Sequence, residues 1–276
     1  MIELPESYVL MDQINQELKG KKIMRGSADH SPHAFAWYTG NPAEYNDKLA
    51  GKTIAQADIY SGNVRIRADD MLLIISTPIR FHKKGDKLPD KYQLSLEFDD
   101  ATSITCTIQM WGCMFCFKGD DPNGMPEQHV INNNPSPLEE GFDEEFFKAL
   151  LHKEKLTSLS AKAFLTTQQR IPGLGNGAAQ DILFAAGIHP KRKMSALSDA
   201  ELSILFKAVK SILADMRQKG GRDTEYDLLG RRGGYKTILS KNTVNKPCPV
   251  CNTPIKKESY LGGSIYFCDK CQKIKP

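Results

Sequence analysis

Short alternations of hydrophobic and polar residues fill the first 120 positions of the chain. Gly-Asn, Asp-Asp and Lys-Gly-Asp clusters, which are typical of turns between β-strands, separate them. A helical pattern at 6–18, ended by Lys19-Gly20, comes first. We therefore expect one short helix and then a β-sandwich or barrel, in a domain spanning 1–120. The predicted strands span 53–60, 64–67, 71–76, 92–98, 103–111 and 114–117.

The pattern becomes helical after a stretch rich in Asp, Asn and Pro at 121–138, which is predicted to be a linker. Ser198 and Glu201 form a capping-box pattern at the start of the longest predicted helix. A helical domain is therefore expected at 139–235, and the chain as a whole is expected to be an α+β protein. The predicted helices span 143–153, 161–168, 176–186 and 198–219.

Two pairs of cysteines with C-x2-C spacing lie near the C-terminus, with sixteen residues between the pairs. This spacing is typical of four thiolates that bind one tetrahedral zinc ion. The residues between them favour a β-hairpin too small to bury a core, so the metal has to supply folding energy. Two disulfides in a secreted module are the alternative, but no secretory signal precedes, and we expect one structural Zn²⁺ in a finger at 244–276. The predicted ligands are Cys248, Cys251, Cys268 and Cys271.

The charge of the chain is unevenly distributed. The net charge is +4, yet residues 230–276 contain ten Lys and Arg against two acidic residues. A basic end that carries a zinc hairpin indicates a polyanion partner, most simply nucleic acid, whereas a merely solubilising tail is the alternative. Because no apolar run reaches membrane-spanning length, we expect no membrane association. The start of the chain lacks the regions of a secretory signal, so we expect a cytoplasmic, nucleoid-associated location.

A glycine-rich turn that opens a helix, at 171–190, is the most specific segment. Its sequence is Ile-Pro-Gly-Leu-Gly-Asn-Gly-Ala-Ala-Gln-Asp-Ile-Leu-Phe-Ala-Ala-Gly-Ile-His-Pro. Gly173 and Gly175 permit positive φ and close backbone approach. Asn176 falls near the helix N-terminus, where free N–H groups and the helix dipole suit an anion. Taken alone, the pattern is a weak indication of a phosphate site.

In its context, this segment resembles the helix–two-turns–helix element of the formamidopyrimidine-DNA glycosylase/endonuclease VIII family. That family combines an N-terminal β-sandwich, this helical element and a C-terminal four-cysteine zinc finger, in the order expected here. The start of the chain, Glu3-Leu4-Pro5-Glu6, also matches the family. The resemblance covers the whole chain, most closely 142–272, and implies base-excision repair of oxidised bases in duplex DNA.

The resemblance also implies how the chemistry is done. The N-terminal amine attacks the sugar C1′ of a flipped nucleotide and forms a Schiff base, and β-elimination then cleaves the strand. By carry-over, Ile2 stands at the nucleophile position, Glu3 is the acid/base and Glu6 supports it. We expect a monomer that grips duplex DNA carrying a damaged or abasic site. The residues matching the family's DNA contacts are Lys162, Gly173, Gly175, Asn176 and Tyr235.

The chain departs from the family at the residues that do the chemistry. The family's nucleophile is a proline, and Met1 is normally trimmed only before small residues, so we expect Met1 to stay before Ile2. Two hypotheses follow: a glycosylase and lyase of weak or altered activity, or a silent binder that keeps the scaffold. The family's hairpin lysine, zinc-hairpin arginine, void-filling Arg-Phe pair and methionine wedge fall at Gly62 or Asn63, Gly263, Met110-Trp111 and near Pro78.

Two other features inside predicted strands are interpreted as core. Cys113 and Cys116 form a further C-x2-C pair, but residues three apart on a strand face opposite sides, which disfavours a metal or redox site. Trp111 is interpreted as a buried strand residue rather than a wedge that stacks in DNA.

Overall fold

A computed structural model describes residues 2–119, 121, 134–152 and 156–274. The chain divides into two compact units, the first formed by 1–131 and 220–234 and the second by 132–219 and 235–276. This division differs from the predicted domain boundaries in more than one respect, since the second unit also includes the predicted finger at 244–276. Residues 220–234, which the sequence assigned to the helical domain, belong to the N-terminal unit, because Arg222 is ion-paired there with Glu6.

The first unit begins with helix α1, Leu4–Glu17, two residues ahead of the predicted start, with a proline in its first turn. Among the described residues, six antiparallel strand pairs and one parallel pair follow it. The remaining elements are β1 Ile23–Ala28, β2 Ala36–Tyr38, α2 Tyr45–Leu49, β3 Ile54–Tyr60, β4 Asn63–Ala68, β5 Met71–Ile75, β6 Ile79–His82, β7 Leu94–Phe98, β8 Ser103–Cys106 and β9 Gly112–Lys118.

These strands form two sheets around one core. The four-stranded sheet has the order β1-β7-β8-β6, and the five-stranded sheet has the order β2-β9-β5-β4-β3, in which only the β2–β9 pair is parallel. Hydrophobic side chains from both sheets and from α1 pack into a single cluster, in which Leu10, Leu73 and Leu96 are almost completely buried. The predicted β-sandwich is thereby confirmed.

The strand predicted at 103–111 is wrong beyond Cys106. The Gln93 side-chain oxygen accepts a hydrogen bond from the Ile108 N–H at 2.7 Å, which takes the backbone out of the β8 ladder. Trp111 therefore lies between β8 and β9 and is 38% exposed, so its interpretation as a buried strand residue is also wrong. Its ring centroid is 5.6 Å from that of Trp37.

The described residues of the second unit form four α-helices, two short 3-10 helices and a β-hairpin. Aromatic rings of Phe142, Phe147, Phe164 and Phe206 contact one another in its interior. The predicted capping box of Ser198 and Glu201 is present with both of its hydrogen bonds. The elements are α3 Glu144–His152, α4 Ala161–Thr166, α5 Asn176–Ala185, α6 Asp199–Gln218, β10 Lys256–Tyr260 and β11 Gly263–Phe267.

Within the described part of the chain, no helix is both long enough and apolar enough to cross a membrane.

Candidate functional site

A cluster of buried charged residues surrounds the start of α1. The N–H of Ile2 donates to the Ser76 carbonyl at 2.9 Å, which fixes the chain just before the helix. Glu3 is the N-cap residue of α1, and its carbonyl accepts the Ser7 N–H at 2.9 Å. Glu3 and Glu6 are both buried, with exposed fractions of 9% and 4%. The three residues predicted for the chemistry, Ile2, Glu3 and Glu6, therefore lie together, away from bulk solvent.

Arg222 supplies the positive charge of this cluster. Its backbone N–H and its Nε both donate to Glu6 Oε1 at 3.0 Å, and Nη2 donates to Oε2 at 2.8 Å. Its Nη1 lies 3.3 Å from Glu3 Oε1. Burial opposes the charge of the guanidinium, but Glu3 and Glu6 outweigh it and raise the pKa of Arg222. Sequence reasoning missed this residue.

The hairpin between β3 and β4 brings its tip to the same helix. Ser61 and Gly62 adopt positive φ of 47° and 80°, and the Gly62 carbonyl accepts a hydrogen bond from Ser7 Oγ at 2.7 Å. The Asn63 side chain bonds to backbone carbonyls of its own turn. The position of the family's lysine thus lies beside the carboxylate cluster and carries no cation here.

In the second unit, the glycine-rich turn leads directly into α5. Gly173 adopts a positive φ of 69°, as expected. Gly175 does not: it is the N-cap of α5, with the extended values φ −111° and ψ −175°. Asn176 is the first residue of α5 and so lies in the helix's first turn, at the positive end of the helix dipole.

Lys162 and Asn176 meet at the tip of the C-terminal hairpin. The Lys162 ammonium donates to the Tyr260 carbonyl at 2.7 Å. A Cβ added to Gly263 would lie 3.4 Å from Asn176 Nδ2 and 3.7 Å from Lys162 Nζ. Lys162 is 3% exposed, and burial lowers its pKa. Tyr235 is 4% exposed and has the Lys219 ammonium 5.5 Å from its ring centroid.

The four C-terminal cysteines form a cluster with the dimensions of a metal site. Their sulfur atoms all lie within 4.8 Å of one another. The Cys248–Cys271 and Cys251–Cys268 sulfurs are 3.8 Å and 3.4 Å apart. A tetrahedral ion with Zn–S bonds of about 2.3 Å sets its ligands about 3.8 Å apart. A disulfide needs about 2.05 Å, so the disulfide alternative is wrong and the cluster can hold a metal.

Cys113 and Cys116 do not share this arrangement. Both lie on β9, Cys116 is almost completely buried, and burial raises the pKa of its thiol to about 12. Neither thiol takes part in a potential metal cluster of the described residues.

The sequence relatives agree with this arrangement. Residues 134–226 match the family model described as the formamidopyrimidine-DNA glycosylase H2TH domain. A formamidopyrimidine-DNA glycosylase of Carboxydothermus hydrogenoformans is 33% identical over 288 residues, covering 99% of this chain and 100% of that protein. The chain belongs to the formamidopyrimidine-DNA glycosylase family. Another relative of that name, from Listeria monocytogenes, is 36% identical over 199 residues, covering 70% of this chain and 71% of its own length.

Solved structures share the fold of this family member over nearly all of its length. The Lactococcus lactis enzyme in complex with DNA containing an abasic site superposes with a TM-score of 0.83 at 24% identity, covering 98% of this chain and 99% of that one. The Thermus thermophilus protein superposes with a TM-score of 0.82 at 21% identity, covering 99% of this chain and 100% of that one. At these identities the superpositions establish the common fold.

Proposed function

We propose that this member of the formamidopyrimidine-DNA glycosylase family removes damaged bases from duplex DNA and cleaves the abasic strand, using its N-terminal amine and Glu3. The observation that carries the proposal is the buried cluster of Glu3, Glu6 and Arg222 at the start of α1, in which Glu3 directly follows Ile2 in the chain. A carboxylate held out of water beside an amine is suited to proton transfer during formation and loss of a Schiff base.

The proposed reaction needs no residue from the hairpin tip. The amine adds to the sugar C1′, the C1′–N bond to the base breaks, and the base leaves with the electron pair. Glu3 accepts the proton that the amine loses and passes it to O4′ as the C1′–O4′ bond breaks, so that the sugar ring opens and the iminium forms. Removal of a C2′ proton then breaks the C3′–O bond and releases the phosphate end of the strand.

We propose that Lys162, Asn176 and the N-terminus of α5 bind the DNA backbone, with Gly173, Gly175 and Tyr235 shaping that surface. Lys162 and Asn176 converge on one point of the hairpin, which supports a shared phosphate site. Gly263 stands where the family has an arginine. Without that arginine, the hairpin lacks a charged hydrogen bond to the DNA phosphate, worth about 1.5–3 kcal/mol. We infer that one structural zinc ion bound by the four cysteines keeps this hairpin folded.

Borohydride trapping on a duplex with a single abasic site tests the chemistry. We expect a covalent protein–DNA adduct that peptide mapping assigns to the N-terminal residue, and Glu3→Gln should abolish strand cleavage while DNA binding stays within about twofold. Intact-mass measurement of the same preparation shows whether Met1 or Ile2 carries the amine. Normal DNA binding without any adduct would instead establish the silent binder.

A further inference from the structure

The guanidinium of Arg222 is one of the most deeply buried charges in the first unit, at 3% residue exposure. Its two contacts with carboxylates are unequal. Glu6 receives two side-chain hydrogen bonds and one from the backbone, whereas Nη1 lies 3.3 Å from Glu3 Oε1. Glu6 therefore sets the orientation of the guanidinium plane, and the guanidinium in turn presents a fixed charge to Glu3.

The backbone that carries Arg222 is itself held in place. Gly221 has a positive φ of 94°, and a Cβ on Gly233 would fall 2.2 Å from the Gly221 carbonyl and 2.5 Å from the Arg222 oxygen. The Arg222 carbonyl also accepts the Glu225 N–H at 3.0 Å. The segment 220–234 thus folds back on itself so closely that position 233 must be glycine. This fold places Arg222 at the start of α1.

No cation comes to Glu3 from the hairpin tip. Gly62 has no side chain, and Asn63 is uncharged and bonded to its own turn. Arg222 reaches the same carboxylate from a segment more than 200 residues further along the chain.

We propose that Arg222 is the positioning residue of the catalytic centre, which orients Glu3 for proton transfer and replaces the missing hairpin cation. The inference rests on the proposed function, because it assigns Arg222 a part in the amine chemistry of Glu3. Arg222 acts through Glu3, because its guanidinium is engaged by the two carboxylates. A lysine at this position would keep the charge but could not bridge both carboxylates, because it lacks the planar fork of the guanidinium.

The test is single-turnover strand cleavage of a preformed abasic duplex, measured over a range of protein concentrations with the parent, Arg222→Lys and Glu3→Gln. Arg231→Lys is the matched control, because Arg231 lies in the same segment, is 67% exposed at its side chain and pairs with Asp227. We expect Arg222→Lys to lower the maximal cleavage rate by up to about 100-fold, with half-saturation within about twofold of the parent. Arg231→Lys should change neither quantity.

A maximal rate in Arg222→Lys equal to that of the parent, with Glu3→Gln inactive, would overturn the role of Arg222 and leave the proposed function standing. A parent that binds the duplex but forms no adduct would overturn the proposed function and the role of Arg222 together. If Arg222→Lys fails to fold, Glu6→Gln tests the same anchor, because Arg222 then keeps its charge and loses its orienting carboxylate. Glu6→Gln should show the same fall in maximal rate at unchanged half-saturation, and a parental rate there would overturn the inference.

Discussion

The Lys162 ammonium donates a 2.7 Å hydrogen bond to the Tyr260 carbonyl and so joins helix α4 to the tip of the C-terminal hairpin. A residue carried over from the family as a DNA ligand therefore also has a structural role. Burial of the ammonium, whose partner is a neutral carbonyl, lowers the pKa of Lys162. Desolvation of this charge therefore opposes folding.

Lys162→Ala and Asn176→Ala are expected to differ in their effects. Both should weaken binding to duplex DNA by roughly 1.5–3 kcal/mol, whatever the DNA sequence. In neither variant should the affinity depend more steeply on salt concentration than in the parent. Only Lys162→Ala should also lower the melting temperature, because it alone removes the bond to the hairpin. Fluorescence anisotropy at several salt concentrations and thermal denaturation measure the two effects. Parental affinity in both variants would show that the assigned phosphate site is wrong.

Gly263→Arg should strengthen DNA binding. A Cβ at this position meets Asn176 Nδ2 at 3.4 Å, which is an ordinary contact, so the backbone has room for a side chain. The added guanidinium would stand beside Lys162 and Asn176 and could make a charged hydrogen bond worth about 1.5–3 kcal/mol. Val250→Arg adds the same charge at a 73% exposed position of the same finger and is the control. Equal gains from both variants would indicate a general charge effect instead of a site.

Removal of the metal should unfold the finger and spare the β-sandwich. We expect one zinc per chain by elemental analysis of protein purified without chelator. Cys251→Ser should lose that zinc and weaken DNA binding, because the hairpin has no core of its own to replace the metal. Circular dichroism should retain the signal of the sheets. Protein that is fully folded and free of zinc would contradict this assignment.

The pKa of Glu225 is raised, chiefly by burial, against the opposing charge of Arg222. The folded state therefore holds this proton more tightly than the unfolded chain, and stability falls as pH rises from the unfolded pKa through the folded one. Glu225→Gln should raise the melting temperature at pH 7 to 8, and the gain should vanish towards pH 4. The exposed Glu97, changed to Gln, is the control and should show no such pH-dependent gain.

How far the sequence predicts the structure depends on the range of the interaction. The capping box, the cysteine pairs and the strand alternations are local, and each predicted the element that forms. The strand predicted at 103–111 was too long, because the side chain of Gln93, fifteen residues away, binds the backbone at Ile108. Arg222 could not be found at all, because nothing local distinguishes an arginine that pairs with Glu6 across the chain from a solvated one.

Ile2→Pro tests the most consequential departure from the family. With isoleucine present, the nitrogen of this residue donates to the Ser76 carbonyl at 2.9 Å, and the next residue along the chain is Glu3, which is paired with Arg222. Proline should promote removal of Met1 and place a secondary amine at that nitrogen, which passes readily to an iminium. We expect a higher yield of borohydride-trapped adduct and faster cleavage at abasic sites than in the parent.

Excision of 8-oxoguanine should change little between the parent and Ile2→Pro, because the substitution changes the amine and none of the contacts on the lesion side. The double variant with Glu3→Gln is the control, and it should lose the gained cleavage while it retains DNA binding. Intact mass must show that Met1 is gone, since a retained Met1 would leave proline acylated. An Ile2→Pro protein with a free proline amine, parental DNA affinity and no gain in adduct would mean that the carboxylate cluster, and not the amine, limits the reaction. Arg222 and Glu6 would then be the residues to vary next, because they determine how Glu3 is held.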